Sequence, residues 1–314
     1  CITVQCGVMV RLALAFDADR DKLLPEDRRT GDALAARGAE VVWAPWGATD
    51  VNWRAFDAVV LRTCYGYHTR LAAFEAWLAG GARFLNPAPL VRWNADKTYL
   101  RQLEGQGTSI VPTAWLPRGI VARLTDLMVE RAWDEVVVKP TVSAGAMHTR
   151  RLTRAQAAEA DGWLATVLAD HAMMVQPFLP EVCAEGEWSL LFFGGALSHA
   201  VLKVPRVGDF RVQGEHGGSF TMQAPPAAAR AVAERLLASL DGSAVYARVD
   251  GVMQGGAFLL MELELIEPYL YLGADSQAAE RYVDAIWSAA MEKGREGGGE
   301  GVLRLRRPAA SPQA

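Results

Sequence analysis

Apolar residues along the chain fall into short runs separated by polar, turn-forming stretches. Residues 10–16 are a nearly unbroken apolar run. After them Asp17-Ala18-Asp19 leads into a polar stretch whose apolar residues recur at helical spacing through Leu34 and Ala35 and stop at Gly38. Such a run reads as a buried strand, and helical periodicity closed by glycine reads as a helix. Residues 40–44 and 57–61 are the next strand runs, with helical segments between them. That alternation favours a parallel βαβ arrangement. Phe74, Trp77 and Leu78 give a further helix its apolar stripe, Gly80-Gly81 stops it, and Asn86-Pro87-Ala88-Pro89 breaks the pattern at a domain boundary.

Beyond the break the pattern mixes helices with hairpins. A helix starts within 91–100, with Asn94 as its N-cap. Strand 111–116, a helix near 124–131 and strand 135–139 follow, and Pro140 closes that strand. The loop 141–149 is small and polar, suited to close backbone approach to a ligand. A helix over 154–168 precedes strand 172–176. Residues 188–193 and 196–203 form a hairpin across Gly194-Gly195. Residues 208–219 read as a second mobile loop, 225–240 as a helix packed under the next hairpin, and 276–293 as the last helix.

The stretch 246–272 holds the chemistry. Two apolar strands flank Gln254-Gly255-Gly256, and the second carries Glu262 and Glu264 two residues apart, so both point to one face. A three-residue loop over 254–256 would set Asp250 opposite Leu260 and Arg248 opposite Glu262. Tyr246, Arg248, Asp250, Glu262 and Glu264 would then share a face with Phe258, Leu260 and Ile266. A solvated edge strand would carry polar residues at 258, 260 and 266. Three carboxylates on a semi-apolar face repel one another, and one arginine does not offset them. A hard divalent cation does, and Mg²⁺ takes oxygen ligands while holding substrate phosphates.

Composition narrows the classes. The chain has 314 residues, 51% of them apolar, enough for a large core in two or three units. No apolar run is long enough to span a membrane, and the net charge of −4 argues against nucleic-acid binding. Four cysteines without a CxxC pair fit a reducing cytoplasm. Met9 reads as the native start, with residues 1–8 and the glycine-rich tail 294–314 expected to be disordered. No GxGxxG follows the first strand and no P-loop occurs. His68, His148, His199 and His216 read as local hydrogen-bonders. Oligomeric state leaves no mark on the sequence.

Taken in order, these stretches resemble the ATP-grasp superfamily of carboxylate–amine ligases, in its bacterial glutathione-synthetase-like branch. They look most like the O-ureidoserine cyclo-ligases. Lys97 in NADKTYL matches the family's first lysine and Lys139 in VVVKP its second, which ends a strand before a phosphate-covering loop. The resemblance implies that Gln176, Pro177, Phe178 and Leu179 form the adenine-reading hinge and that Glu187 contacts the ribose. It implies that Lys203 and Arg211 contact phosphate and acyl phosphate, and that Asp250 and Glu262 bind metal, with Glu264 where relatives carry Asn. Gln213 likewise stands where Asn is common, and the loop 141–149 holds a single glycine. The implied fold combines α/β and α+β parts. These are an N-terminal parallel-sheet domain (9–90), a central lid (91–175) and a C-terminal antiparallel-sheet domain with the metal site (176–293). The implied cofactors are ATP and Mg²⁺. The implied partner is a small amino-acid-like substrate, framed by 62–68, Tyr269 and Tyr271. Its carboxylate becomes an acyl phosphate that a nitrogen then displaces, within the same molecule or from a second one. The rival is a nucleotide-binding protein without ligase activity.

Overall fold

The computed structural model describes residues 9–18, 23–212, 214, 217–240 and 244–292. The terminal stretches expected to be disordered, together with Gln213 and His216, lie outside the described residues.

The first sheet is parallel. Strand β1 (Arg11–Phe16) lies between β2 (Glu40–Pro45) and β3 (Ala58–Leu61). Helix α1 (Pro25–Ala36) begins later than Asp17-Ala18-Asp19 implied. Pro25 suits its first turn, where an N–H would have no intrahelical acceptor. Helix α2 (Leu71–Leu78) buries Phe74 and Leu78 in an aromatic core with Trp46 and Trp53. Helices α3 (Ala88–Ala95) and α4 (Tyr99–Gly105) lead out of this unit. Asn94 is therefore no N-cap. It sits in the last turn of α3, and the helix starts behind Pro87 instead.

The second sheet is antiparallel, in the order β4-β7-β5-β6: β4 (Ala114–Leu116), β5 (Glu135–Pro140), β6 (Arg150–Thr153) and β7 (Met173–Pro177). Helices α5 (Leu124–Glu130) and α6 (Arg154–Asp170) share one apolar core with it. The sequence pattern did not predict β6, whose RRLT is mostly polar. A capping box at Thr153 and Gln156 ends it and starts α6.

The short helix α7 (Glu181–Ala184) leads into the third sheet. It contains β8 (Glu187–Phe193), β9 (Ala196–Val204), β10 (Ser219–Met222), β11 (Tyr246–Gln254) and β12 (Ala257–Glu264), antiparallel in the order β10-β9-β8-β11-β12. Strand β10 was also unforeseen, since all its residues are exposed. Side chains of β8 alternate between two cores. Leu190 and Phe192 meet α8 (Ala227–Ser239). Leu191 and Phe193 meet α9 (Ala278–Met291), whose Tyr282, Val283 and Ile286 also touch Leu12, Leu14 and Leu34 of the first unit.

The β11–β12 register differs from the expected one. The turn is the two glycines Gly255-Gly256, with Gln254 paired to Ala257. Asp250 therefore faces Glu262 and Arg248 faces Glu264. Between Asp250–Glu262 and Gly251–Leu260 the ladder shifts, leaving Met261 without a partner. This bulge reverses the alternation along β12. Phe258 and Leu260 turn into the α8 core with Leu263, away from the acids, whereas Met261, Glu262, Glu264 and Ile266 reach the cleft described below. A Cβ on Gly251 would lie 2.3 Å from the Leu259 carbonyl oxygen and 2.4 Å from the Phe258 ring, so the bulge requires glycine there.

Strand β12 ends its sheet, yet its outer backbone is occupied. Asn94 Nδ2 donates to the Leu263 carbonyl (2.8 Å), and Asn94 Oδ1 accepts from the Leu265 N–H (2.9 Å). The Tyr99 hydroxyl donates to the Leu263 carbonyl and accepts from the Leu263 N–H. Asn86 Nδ2 donates to the Leu265 carbonyl at 2.7 Å. Side chains from both sides of the expected domain boundary thus take the place of a neighbouring strand.

Candidate active site

A cleft of about 1030 Å³ runs between the second and third sheets and opens onto the loop after β3. One wall carries the acids. One oxygen each of Asp250, Glu262 and Glu264 lies within 4.8 Å of the others. Arg248 donates to Asp250 through Nε and Nη2 (3.0 and 2.9 Å) and also pairs with Glu264. Ser189 donates to Asp250 as well. Burial alone would raise Asp250, but Arg248 and Lys203 outweigh it and hold the carboxyl below the ordinary range. Glu262 is held low in the same way by Lys97 and Lys139. Glu264 goes the other way. Burial, with Glu262 and Asp250 close by, outweighs Arg248 and pushes it up to about 7. Oxygen donors crowded this closely fit a hard divalent cation, which would relieve the repulsion among them.

Besides Arg248, four cations line the cleft. Lys97 is buried, donates to the Ser143 carbonyl at 2.8 Å, and lies 3.2 Å from Glu262. The side chain of Lys139, at the end of β5, makes no hydrogen bond or ion pair among the described residues. Burial lowers its amine, Lys97 adds to that, and Glu262 opposes it. Lys203 pairs with Glu187 and lies 3.6 Å from Asp250. Burial would lower Lys203, yet Asp250 and Glu187 push it above the ordinary lysine range, while burial raises Glu187. A Cβ on Gly186, at φ +96°, would come 2.7 Å from the Lys203 carbonyl oxygen, so glycine lets the Glu187–Lys203 pair form. Arg211 makes a bidentate pair with Asp209 (3.0 and 2.8 Å), which holds the Asp209 carboxyl well below its usual range.

The loop 141–149 covers Lys97 and Lys139. Gly145, Ala146 and His148 all have positive φ (59°, 56° and 52°). For the two residues with a Cβ this costs on the order of 1 kcal/mol each. At the hinge, Gln176, Pro177, Phe178 and Leu179 all line the cleft. Gln176 Nε2 donates to Thr113 Oγ1 at 3.0 Å. Pro177 has no N–H, and the Phe178 N–H is taken by the Glu135 carbonyl at 2.8 Å. The Leu179 N–H has no partner among the described residues. Val111, Leu179, Val182 and Val212 form an apolar wall beside it.

At the other end Tyr65, Tyr67 and His68 line the cleft as the loop reading expected, with Tyr269 and Tyr271. Arg62 does not join them. It is buried against Asp27 (2.7 Å) beneath the Tyr282 ring. His199 bonds locally, to Ser198 and the Leu270 carbonyl. The residue that sequence reasoning passed over is Glu267. It lines the cleft beyond Glu264, and its carboxyl is pushed well up by burial and by Glu264. Its place in ELIEP follows the acidic pair directly, but the period-2 pattern ends before it.

Apart from Gln213, which lies outside the described residues, the site residues the family resemblance singled out from Lys97 to Glu264 line this one cleft. Comparison with known proteins agrees in fold and family. Residues 12–86 match the family model of the N-terminal domain of D-cycloserine synthetase DcsG. The chain is 32% identical over 294 residues to the cycloserine biosynthesis protein DcsG of Streptomyces lavendulae, covering 88% of this chain and 95% of that one. The crystal structure of D-cycloserine synthetase DcsG superposes with a TM-score of 0.79 at 30% identity, covering 89% of this chain and 99% of that one. A RimK domain ATP-grasp protein from Sphaerobacter thermophilus follows at 0.66 and 20% identity, over 88% and 99% of the two chains. The D-alanine–D-alanine ligase of Bacillus anthracis in complex with ATP gives 0.60 at 15% identity, over 90% and 97%. Among the described residues no helix is long and apolar enough to cross a membrane. The chain belongs to the cycloserine synthetase family of ATP-grasp enzymes, and it is an ATP-dependent carboxylate–amine ligase.

Proposed function

We propose that the cleft activates the carboxylate of a small amino-acid derivative as an acyl phosphate and closes the same molecule on itself, as in cycloserine formation from O-ureidoserine. The observation that carries this reading is the convergence in one cleft of three carboxylates within 4.8 Å of one another and the cations Lys97, Lys139, Lys203 and Arg211. Phosphoryl transfer requires chiefly positioning and charge neutralisation, and this arrangement supplies both.

In this reading the apolar wall takes the adenine ring, and the Leu179 N–H is the hinge donor left to read its edge. Gln176 and Phe178 shape the pocket. Lys97 and Lys139 meet the ATP phosphates under the loop 141–149, and Glu187 turns from Lys203 to the ribose. Asp250, Glu262 and Glu264 would hold Mg²⁺, which when bound neutralises phosphate charge. A substrate carboxylate oxygen attacks the γ-phosphorus as the bond to ADP breaks. The substrate nitrogen then attacks the carbonyl carbon, the carbon–oxygen bond to phosphate breaks, and the nitrogen gives up a proton; the ring nitrogen then still carries the carbamoyl group, which water would release as carbamate to give cycloserine. Lys203 and Arg211, released from Glu187 and Asp209, would hold the transferred phosphoryl group and the tetrahedral oxyanion. Such an enzyme belongs in the cytoplasm, where ATP is made available.

The test is ADP release with O-ureidoserine, with the product identified by mass spectrometry. The expected result is ADP release dependent on that substrate and a cyclic product. Release that instead requires two amino acids and yields a linear amide would replace cyclisation by intermolecular ligation.

A further inference from the structure

Ten described side chains carry a buried polar atom without a hydrogen-bond partner. Of these, only His68 and Glu267 also line the cleft. For Glu267 the atom is Oε2, and neither carboxylate oxygen has a hydrogen bond or ion pair among the described residues. The cations within reach are committed elsewhere. Arg248 holds Asp250 and Glu264, and Lys97 lies against Glu262. Nor does Glu267 belong with the three acids grouped closely enough to share one metal ion.

The backbone on both sides of Glu267 is clamped. Leu265 is held by Asn94 and Asn86, the Ile266 carbonyl accepts from the buried Tyr246 hydroxyl at 3.0 Å, and the Leu270 carbonyl meets His199 at 3.0 Å. The backbone carrying Glu267 is therefore held, and its carboxyl lies near Glu264 and Glu262 and near Tyr65 and Tyr67. A buried acceptor without a donor is costly unless a ligand supplies the donor. Holding its backbone beforehand limits what binding must order.

We propose that Glu267 anchors the α-ammonium of the substrate, so that the cleft selects amino acids over the same carboxylic acids lacking the amine. The proposal rests on the ligase reading above and adds its specificity determinant. Lys139 and Lys203 lie against Glu262, Glu187 and Asp250 rather than Glu267, so a zwitterion entering with its carboxylate toward those two lysines brings its ammonium to Glu267. Held as an ammonium, that nitrogen has no lone pair and cannot attack an acyl phosphate.

The test compares O-ureidoserine with its des-amino counterpart in the wild type and in Glu267→Gln, by steady-state ADP release. The wild type should favour the amine by about 10- to 100-fold in kcat/KM, the range of one hydrogen bond to a charged group. Glu267→Gln should shrink that ratio to a few-fold, mainly through a higher KM for the amino acid. ATP affinity by calorimetry and the melting temperature should stay as in the wild type. An unchanged ratio in Glu267→Gln, or a wild type indifferent to the amine, overturns the proposal. If O-ureidoserine releases no ADP, cyclisation fails as a reading. The same paired comparison on whichever amino acid in a panel does release ADP then decides the role of Glu267. If no amino acid releases ADP, both fall.

Discussion

Glu262 and Glu264 stand two residues apart on one strand, yet their surroundings push them in opposite directions. Lys97 and Lys139 keep Glu262 ionised, while burial among acids lifts Glu264 from the ordinary glutamate value of 4.5 to about 7. A raised carboxyl binds its proton more tightly in the folded state, so its contribution is intact below the unfolded pKa and is lost as the pH rises through the folded one. In metal-free buffer, the stability advantage of Glu264→Gln over the wild type should therefore grow between pH 4.5 and about 7 and level off above. Denaturant unfolding at several pH values checks this, and a pH-independent difference would contradict it. The two acids should also differ in turnover. Glu262→Gln removes a charge placed between both lysines and should lose at least about a hundredfold. Glu264→Asn keeps an oxygen ligand and should retain measurable ADP release. Spacing alone pointed to these acids, and an apolar strand ending in Lys pointed to Lys139, because both are local signals; Lys97 and Lys203 came only from the family resemblance. Glu267 was not legible that way. Its significance is the lack of a partner, which depends on where Arg248 and Lys97 go in three dimensions.

Strand β12 shows where element-level reading succeeds and where it stops. The hairpin, its glycines and the shared face of the acids were legible, since each rests on residues adjacent in sequence. The register was not, because a period-2 pattern does not show the bulge at Met261 that sends Phe258 and Leu260 to the opposite face. A sign of it does lie in the sequence, as a glycine at 251 in the middle of an apolar strand. Gly251→Ala should destabilise the fold by about 2 kcal/mol or more, through overlap with the Leu259 carbonyl and Phe258. Thermal unfolding measures it, and a shift of under a degree would show that the bulge tolerates a side chain. Asn94 was misread for a similar reason. Its residue type suits a helix cap, and only the folded chain shows it completing the edge of β12. Asn94→Ala should expose that edge and lower ATP-dependent turnover along with stability.

At the scale of the whole molecule, the acids ride on the third sheet while Lys139 and the loop 141–149 ride on the second, so the cleft works only when both sheets close on one ligand. The order of elements and the parallel first sheet could be read from hydrophobic runs. Missed were the polar strands β6 and β10, which carry no apolar alternation of their own and form only beside a neighbour. Proteolysis within 141–149 should slow when a non-hydrolysable ATP analogue and Mg²⁺ are added, and equal cutting in both states would argue against closure of that loop. The central claim is that a carboxylate oxygen of the substrate attacks the γ-phosphate in this cleft. It is tested most directly with O-ureidoserine labelled with heavy oxygen in its carboxylate. If an acyl phosphate forms and a nitrogen displaces it, each phosphate released alongside ADP carries one labelled oxygen. Unlabelled phosphate, or label appearing in AMP, would contradict the account.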